Sequence, residues 1–345
     1  MIKAPIPLER QYLTFKVLSE GTITAVSTNA GVNRTIQYSL NGGRWQSLAI
    51  STTSQSLGTF NIDDEIRIKG NNSNYATWID RYCHFAGTAQ TEVKGNIMSL
   101  VYGDNFAGKT VLTADYTFIG LFQSWTNLVS AEDLILPAMT LRNRCYIYLF
   151  KGCSSLQKTP KILPAANLAP LCYYEMFNGC KKIVYPPIIS AVNASGDSCC
   201  RAMFNGCSAL REAPDLNATT IASNCYTNMF YGCSALTKAP AILPATTLQS
   251  NCYAYMFYSC SSLVTAPVLP ALILVDNCYN RTFMGCTKLR YIKAMFTTTP
   301  SSATTINWVY GIPSGGTFIK NSAAEWDVTG TSGIPSGWTV QTASE

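Results

Sequence analysis

The amino-acid sequence predicts a mainly β chain with short helices, built as an N-terminal β-sandwich, a solenoid of seven repeats and a C-terminal cap. Three observations carry this. Strand-like alternation fills the first part of the chain, a phrase centred on Met-Phe-x-Gly-Cys then returns at near-constant spacing, and a proline interrupts most copies at the same place. A long fixed period marks stacked supersecondary units, each too small to bury its own apolar face.

Residues 1 to 95 form the sandwich. Tyr12-Leu13-Thr14-Phe15-Lys16-Val17, Thr35-Ile36-Gln37-Tyr38-Ser39-Leu40 and Glu65-Ile66-Arg67-Ile68-Lys69 have strand periodicity, and Asn41-Gly42-Gly43 supplies the left-handed backbone of a tight hairpin. Ser39 to Trp45 resembles the Asp-box turn of sialidases, but it is one residue short, occurs once and has Asn in the acidic place. That turn is structural and supports no glycosidase activity. Val93 to Gly108 is expected to begin the N-terminal cap of the solenoid, taken as residues 96 to 116.

Residues 117 to 290 carry the repeats. Phe150, Phe177, Phe204, Phe230, Phe257 and Phe283 follow one another at steps of 27, 27, 26, 27 and 26, and Phe122 lies 28 residues before Phe150, which makes seven copies. The full phrase, clearest from Cys225 to Asn251, is Cys-Tyr-x-x-Met-Phe-x-Gly-Cys-Ser-Ser-Leu-x-x-Ala-Pro-x-x-Leu-Pro-Ala-Thr-Thr-Leu-x-x-Asn. The copy starting at Cys199 lacks one position around Asp215 to Asn217. Tyr226, Met229, Phe230, Leu236, Ala239, Leu243 and Leu248 cannot make a core within one copy and are expected to be buried against neighbouring copies. Cys-Tyr-x-x-Met-Phe has apolar residues at i, i+1, i+4 and i+5, which predicts one or two helical turns ending near Gly232 and its equivalents. The Leu-x-x-Ala-Pro segment is extended, and Pro160, Pro186, Pro214, Pro240 and Pro267 each remove a backbone donor, so strands there are short or irregular. Parallel stacking about 4.8 Å apart puts extended segments on one face and helical turns on the other, in a rod or arc of roughly 30 to 35 Å. Residues 291 to 345 are expected to close the stack.

Twelve of the 14 cysteines fall in pairs eight apart, at 145/153, 172/180, 199/207, 225/233, 252/260 and 278/286, leaving Cys83 and Cys200. The spacing is a consequence of the repeat. Eight residues along a helical stretch span about 12 Å, beyond the reach of a disulfide. Metal sites gather close couples of ligands, often with histidine, and His84 is the one histidine. Buried, reduced thiol ladders are the expectation, with bridges between adjacent copies as the second reading and metal as the third.

The Phe-x-Gly-Cys-Ser-Ser-Leu phrase resembles the BspA-like leucine-rich repeats of bacterial surface antigens, in a longer variant similar to repeat proteins of gut anaerobes and their phages. It has Met-Phe where the usual version has Ala-Phe, and Ala-Pro followed by Leu-Pro-Ala where that version has an Ile-Pro strand end. The likeness covers residues 117 to 290 and extends more loosely to Gly333-Ile334-Pro335-Ser336-Gly337-Trp338. It implies a leucine-rich-repeat solenoid of seven copies and the role of an adhesin or host-contact protein without a cofactor.

Charged residues make up 13% of the chain, against about 25% in an average soluble protein. The net charge of +6 lies between residues 117 and 290, where 13 Lys and Arg face 7 Asp and Glu. These positive charges are too dispersed for a nucleic-acid footprint. No uninterrupted apolar run marks a secretory leader within Met1 to Arg10 or a membrane span later, so export by the standard route is not expected if this start is native. A triad or Cys-His pair would need His84 as its base. Asp63-Asp64-Glu65 and Glu132-Asp133 send adjacent carboxylates to different sides, and phosphate-loop and dinucleotide fingerprints are missing. The expectation is therefore no catalysis, no cofactor and no metal.

Positions that vary within the constant frame are the contact candidates: Lys158, Arg211, Lys238 and Arg290 beside the extended segment, and Tyr231, Tyr255 and Tyr258 by the predicted helical turn. Their expected partner is a protein or glycan on a bacterial surface or in mucus. Other virion or surface proteins would attach through the N-terminal domain, with homo-oligomerisation left open. The expected setting is a bacteriophage virion surface. A bacterial cell-surface adhesin and a structural spacer in a larger assembly are the alternatives.

Overall fold

The structure, a computed structural model, describes residues 7–343. The first six residues, which begin the stretch inspected for a leader, and the last two lie outside the described residues. The chain opens as a β-sandwich. Strands β1 (Leu13–Val17), β2 (Gly21–Ser27), β3 (Arg34–Leu40), β4 (Gln46–Ile50), β5 (Gln55–Phe60), β6 (Glu65–Gly70), β7 (Ala76–Trp78), β8 (Arg81–Gly87) and β9 (Thr91–Asn96) divide between two sheets. One runs β9-β1-β6-β3-β4 and the other β5-β2-β8-β7, with antiparallel neighbours throughout. Alternate residues point inward, so Leu13, Phe15, Ile66, Ile68 and Val93 of one sheet meet Ile23, Ala25 and Phe85 of the other. The rings of Phe15 and Phe85 lie 5.0 Å apart, edge to face. The β3–β4 hairpin turns through Asn41 and Gly42, with φ of 47° and 74°, as its Asn-Gly pair demands.

No spacer separates the sandwich from the solenoid. After helix α1 (Ser99–Tyr102), β10 (Leu128–Ser130) and β11 (Leu134–Ile135) of the first coil both pair in parallel with β9. Phe15 also touches Trp125, with ring centroids 5.2 Å apart. The sandwich core therefore continues into that of the solenoid.

The chain then winds a β-solenoid of about seven turns. Beyond the first coil the extended side forms two-residue strands, β12 (Ile162–Leu163) with β13 (Ile188–Ile189) and β14 (Asn193–Ala194) with β15 (Thr220–Ile221), all in parallel register. Proline sets this brevity, since each interrupts the ladder by one donor. A parallel sheet of β16 (Tyr291–Ala294), β17 (Thr317–Lys320) and β18 (Thr339–Thr342) closes the far end, where Trp308, Phe318 and Trp326 plug the core.

The opposite side departs from the sequence prediction. The Cys-Tyr-x-x-Met-Phe stretches form no helical turns; they run as successions of tight turns. A left-handed residue recurs every fourth place, as at Asn224, Asn228 and Gly232, with φ of 57°, 58° and 71°. Each such residue ends a right-handed run before an i→i−4 bond can close. Alternate N–H groups leave the local turn and cross to the next coil: those of Asn224, Tyr226, Asn228, Phe230 and Gly232 donate to Ser250, Cys252, Ala254, Met256 and Tyr258. The residues between them donate backward within their own turn, as Met229 does to Tyr226. The periodicity located the buried side chains correctly, but the backbone serves the neighbouring coil in place of a helix.

Inside, every kind of residue forms a column. Phe150, Phe177, Phe204, Phe230, Phe257 and Phe283 are all fully buried, with successive centroids 5.4, 5.4, 5.8, 5.4 and 5.6 Å apart. Tyr146 stacks on Tyr173, and Tyr226 on Tyr253 on Tyr279, while Cys200 fills the tyrosine place in the coil between. All 14 cysteines are free and buried. In the second thiol column each S–H is directed at a phenylalanine carbonyl of the preceding coil, as from Cys180 to Phe150 at 3.0 Å and from Cys233 to Phe204 at 3.1 Å. These thiols are small apolar fillers that also satisfy a buried acceptor. Among the described residues, no group of three or more His, Cys, Asp or Glu is placed to hold a metal ion.

Truncating the aromatic column should release the coils from one another. Phe204→Ala is expected to cost about 3–5 kcal/mol, as for a fully buried aromatic, read as a lowered urea midpoint; a cost below about 1 kcal/mol would mean the column does not hold the stack. Burial also pushes the thiols of Cys145, Cys153, Cys252 and Cys286 up to about 12. An unfolded thiol ionises from about pH 8.5, so between that pH and about 12 the folded chain holds protons that the unfolded chain has lost. Stability should then fall with rising pH, by about 1.4 kcal/mol per unit for each such thiol. Thermal unfolding recorded from pH 8 to 11 should show a steepening loss, and a flat profile would contradict the buried-thiol arrangement.

Candidate binding surface

The sequence-predicted contact residues fall on two separate sides of the coil. Lys158 and Lys238 occupy equivalent places in the extended row, three coils apart, where the ladder pairs Ser130 with Lys158 and Glu212 with Lys238. Each is tied to the preceding coil by an ion pair, Lys158 to Glu132 and Lys238 to Glu212, the latter at 3.4 Å. Arg211 and Arg290 belong to the adjacent row, one position earlier in their copies, and both are exposed. Arg290 donates to the Leu289 carbonyl at 3.0 Å. The four cations thus line one side without converging.

Tyr231, Tyr255 and Tyr258 do converge on the turn side. Tyr231 and Tyr258, in adjacent coils, stack at 4.6 Å and 4°. Tyr255 lies 6.1 Å from Tyr258 and accepts a hydrogen bond from Arg281 at 2.7 Å. The guanidinium also sits 5.5 Å from the Tyr255 ring centre. All three rings are half-buried, an arrangement that keeps them rigid while leaving part of each in solvent.

A second aromatic group, which the sequence reading missed, spans the junction with the sandwich. Trp78 of β7 meets Tyr116 at 5.8 Å, Tyr148 meets Tyr174 at 5.7 Å, and Lys151 lies over the Tyr148 ring while pairing with Glu175 at 2.6 Å. Burial, helped by the charge of Glu175, pushes the Tyr148 hydroxyl far above its usual range, so that ring remains neutral. The tyrosines could be counted in the sequence, but nothing there places Trp78 beside them.

The extended side holds a groove. Ile162, Ile188, Asp215, Ile242 and Val268 occupy one outward row of five successive coils, and Ile188 is 66% exposed. At Asp215, in the copy that starts with Cys199, the row is interrupted and a groove of about 640 Å³ opens. Its walls are Tyr185 to Ile189 on one side and Thr237 to Ala241 on the other, and its floor is Ala213 to Asp215 with Asn217. Ladder pairs join Ile188 to Ile162 and Ile242 to Val268, whereas Asp215, Leu216 and Asn217 take part in no backbone bond. Leu216 is buried, so the shortened segment lies against the core in the coil where Cys200 replaces a tyrosine.

The catalytic candidates do not assemble. His84 lies in β8 with its Nδ1 unpartnered, and burial lowers its pKa. Glu132 and Asp133 are bound to Lys158 and Lys161 of the next coil, and Asp64 accepts from Asn41 and the Asn61 backbone.

No protein family of known profile matches the chain, and no curated protein does. A leucine-rich repeat protein of Bacteroides ovatus is similar at 19% identity over 65% of this chain and 62% of that protein, with a TM-score of 0.28. This chain thus spans about three fifths of that protein's length.

The stacked tyrosine pair yields a direct test. In a double-mutant cycle of Tyr231→Ala and Tyr258→Ala, the coupling energy should be about 0.5–1.5 kcal/mol by thermal or urea unfolding. Additive losses would mean the two rings do not form a pre-organised platform.

Proposed function

We propose that this chain is a non-enzymatic recognition protein, a BspA-like repeat solenoid displayed toward a protein or glycan on a bacterial surface or in mucus. It is carried on a bacteriophage virion, where the N-terminal sandwich attaches it to other virion proteins. The groove at Asp215 to Asn217 carries this reading. A spacer needs no such opening, whereas here the ladder is interrupted at three residues and apolar and polar groups are exposed together. The half-buried tyrosines on the turn side supply a second rigid surface of the kind that anchors protein and glycan contacts.

Binding of the purified chain to fixed gut bacteria and to immobilised mucin tests the role. Ile188→Ser with Lys238→Ala, or Tyr231→Ala with Tyr258→Ala, should weaken binding at least tenfold without lowering the melting temperature by more than a few degrees. Unchanged binding in both double variants would leave the chain a spacer. The setting is tested separately by mass spectrometry of purified phage particles: presence in cell envelopes but not in virions would make it a bacterial adhesin.

A further inference from the structure

We propose that the groove at Asp215 is a vacant strand position that captures an extended peptide of a partner protein, with a basic residue placed against Asp215. The inference rests on the recognition role and names the chemistry of its partner.

In a parallel ladder, successive residues of one strand bond alternately to the neighbour before and the neighbour after. On one wall, Ile188 donates to Lys161 and Ser190 to Leu163, both toward the preceding coil, which leaves the N–H and C=O of Ile189 facing the groove. On the other wall, Val268 donates to Ala241 and Leu243 to Val268, both on the far side, which leaves the N–H and C=O of Ile242 facing the groove. The segment between them, Asp215 to Asn217, satisfies neither wall. One coil lies between the walls, so they stand two ladder spacings, about 9.6 Å, apart, which accepts one paired strand between two others. A peptide laid there would complete two ladders at once, the mode by which exposed sheet edges bind partners.

The side chains define what that peptide carries. Ile188 and Tyr185, both strongly exposed on one wall, and Ile242 on the other would cover an apolar or β-branched residue. Glu212 is already engaged by Lys238, but Asp215 is exposed and has no ion-pair or hydrogen-bond partner. A lysine or arginine on the incoming strand is the complement it lacks.

The probe is a fluorescent dodecapeptide of alternating valine and threonine with a central lysine, compared by anisotropy with a central-glutamate version and with one N-methylated at alternate residues. The lysine peptide should bind, and the other two should bind at least tenfold more weakly. Asp215→Lys should invert the preference between lysine and glutamate. The N-methyl comparison on the unaltered chain reads the backbone bonding directly. Equal binding of the methylated peptide, or an unchanged preference in Asp215→Lys, would overturn the proposal. If the chain binds cells or mucin but none of the peptides, the strand inference fails and the recognition role stands; if it binds peptides but neither cells nor mucin, the strand inference stands and that role fails.

Discussion

Every second backbone N–H on the turn side of this protein belongs to the next coil. That one constraint decides how the rest is arranged. A chain that gives alternate donors to its neighbour cannot also close i→i−4 bonds, so it must reverse locally, and it does so with a left-handed residue at every fourth place. Glycine or asparagine fills some of these places at little cost, as at Gly206 and Asn251. Others hold Tyr255, Glu175 or Leu171, where the left-handed backbone is unfavourable and persists because the crossing bonds on either side hold it.

Repetition of the crossing bonds puts like residues on top of one another, and the columns follow. Phenylalanine stacks on phenylalanine, and each thiol of the second column reaches the carbonyl of the coil before it. Such a stack is held by contacts between immediate neighbours, so an irregularity in one coil can stay local. The copy starting at Cys199 shows this. Its phenylalanine and second cysteine remain in line, while its residues Asp215 to Asn217 give up the ladder. The turn side carries the stability, and the extended side has latitude to vary.

The same logic reaches both ends. The sandwich is joined through β9, which pairs with β1 on one side and with the first coil on the other, and Phe15 and Phe85 begin the aromatic packing that Phe122 continues. A shared strand leaves the two parts no freedom to hinge at the junction. With few charges available, ion pairs between coils, such as Lys161 to Asp133, are exposed and add register more than energy.

The sequence by itself determined the repeat, its count, the inward residues and the thiol columns, because burial in a stack imposes one pattern on every copy and that pattern is written at fixed spacing. It also marked Tyr231, Tyr255 and Tyr258 as a group and Asp215 to Asn217 as a defect. It misjudged the Cys-Tyr-x-x-Met-Phe stretch, since apolar residues at i and i+4 face inward on a helix and on a chain that reverses every four residues alike. The destination of a backbone N–H is not encoded in side-chain periodicity. Only the tertiary structure decided that the donors cross between coils, that Trp78 meets the tyrosines of the first coils, and that Asp215 to Asn217 leave Ile189 and Ile242 facing each other across a gap. Those outcomes depend on which coil lies beside which, and a linear pattern carries that information only after the chain has stacked.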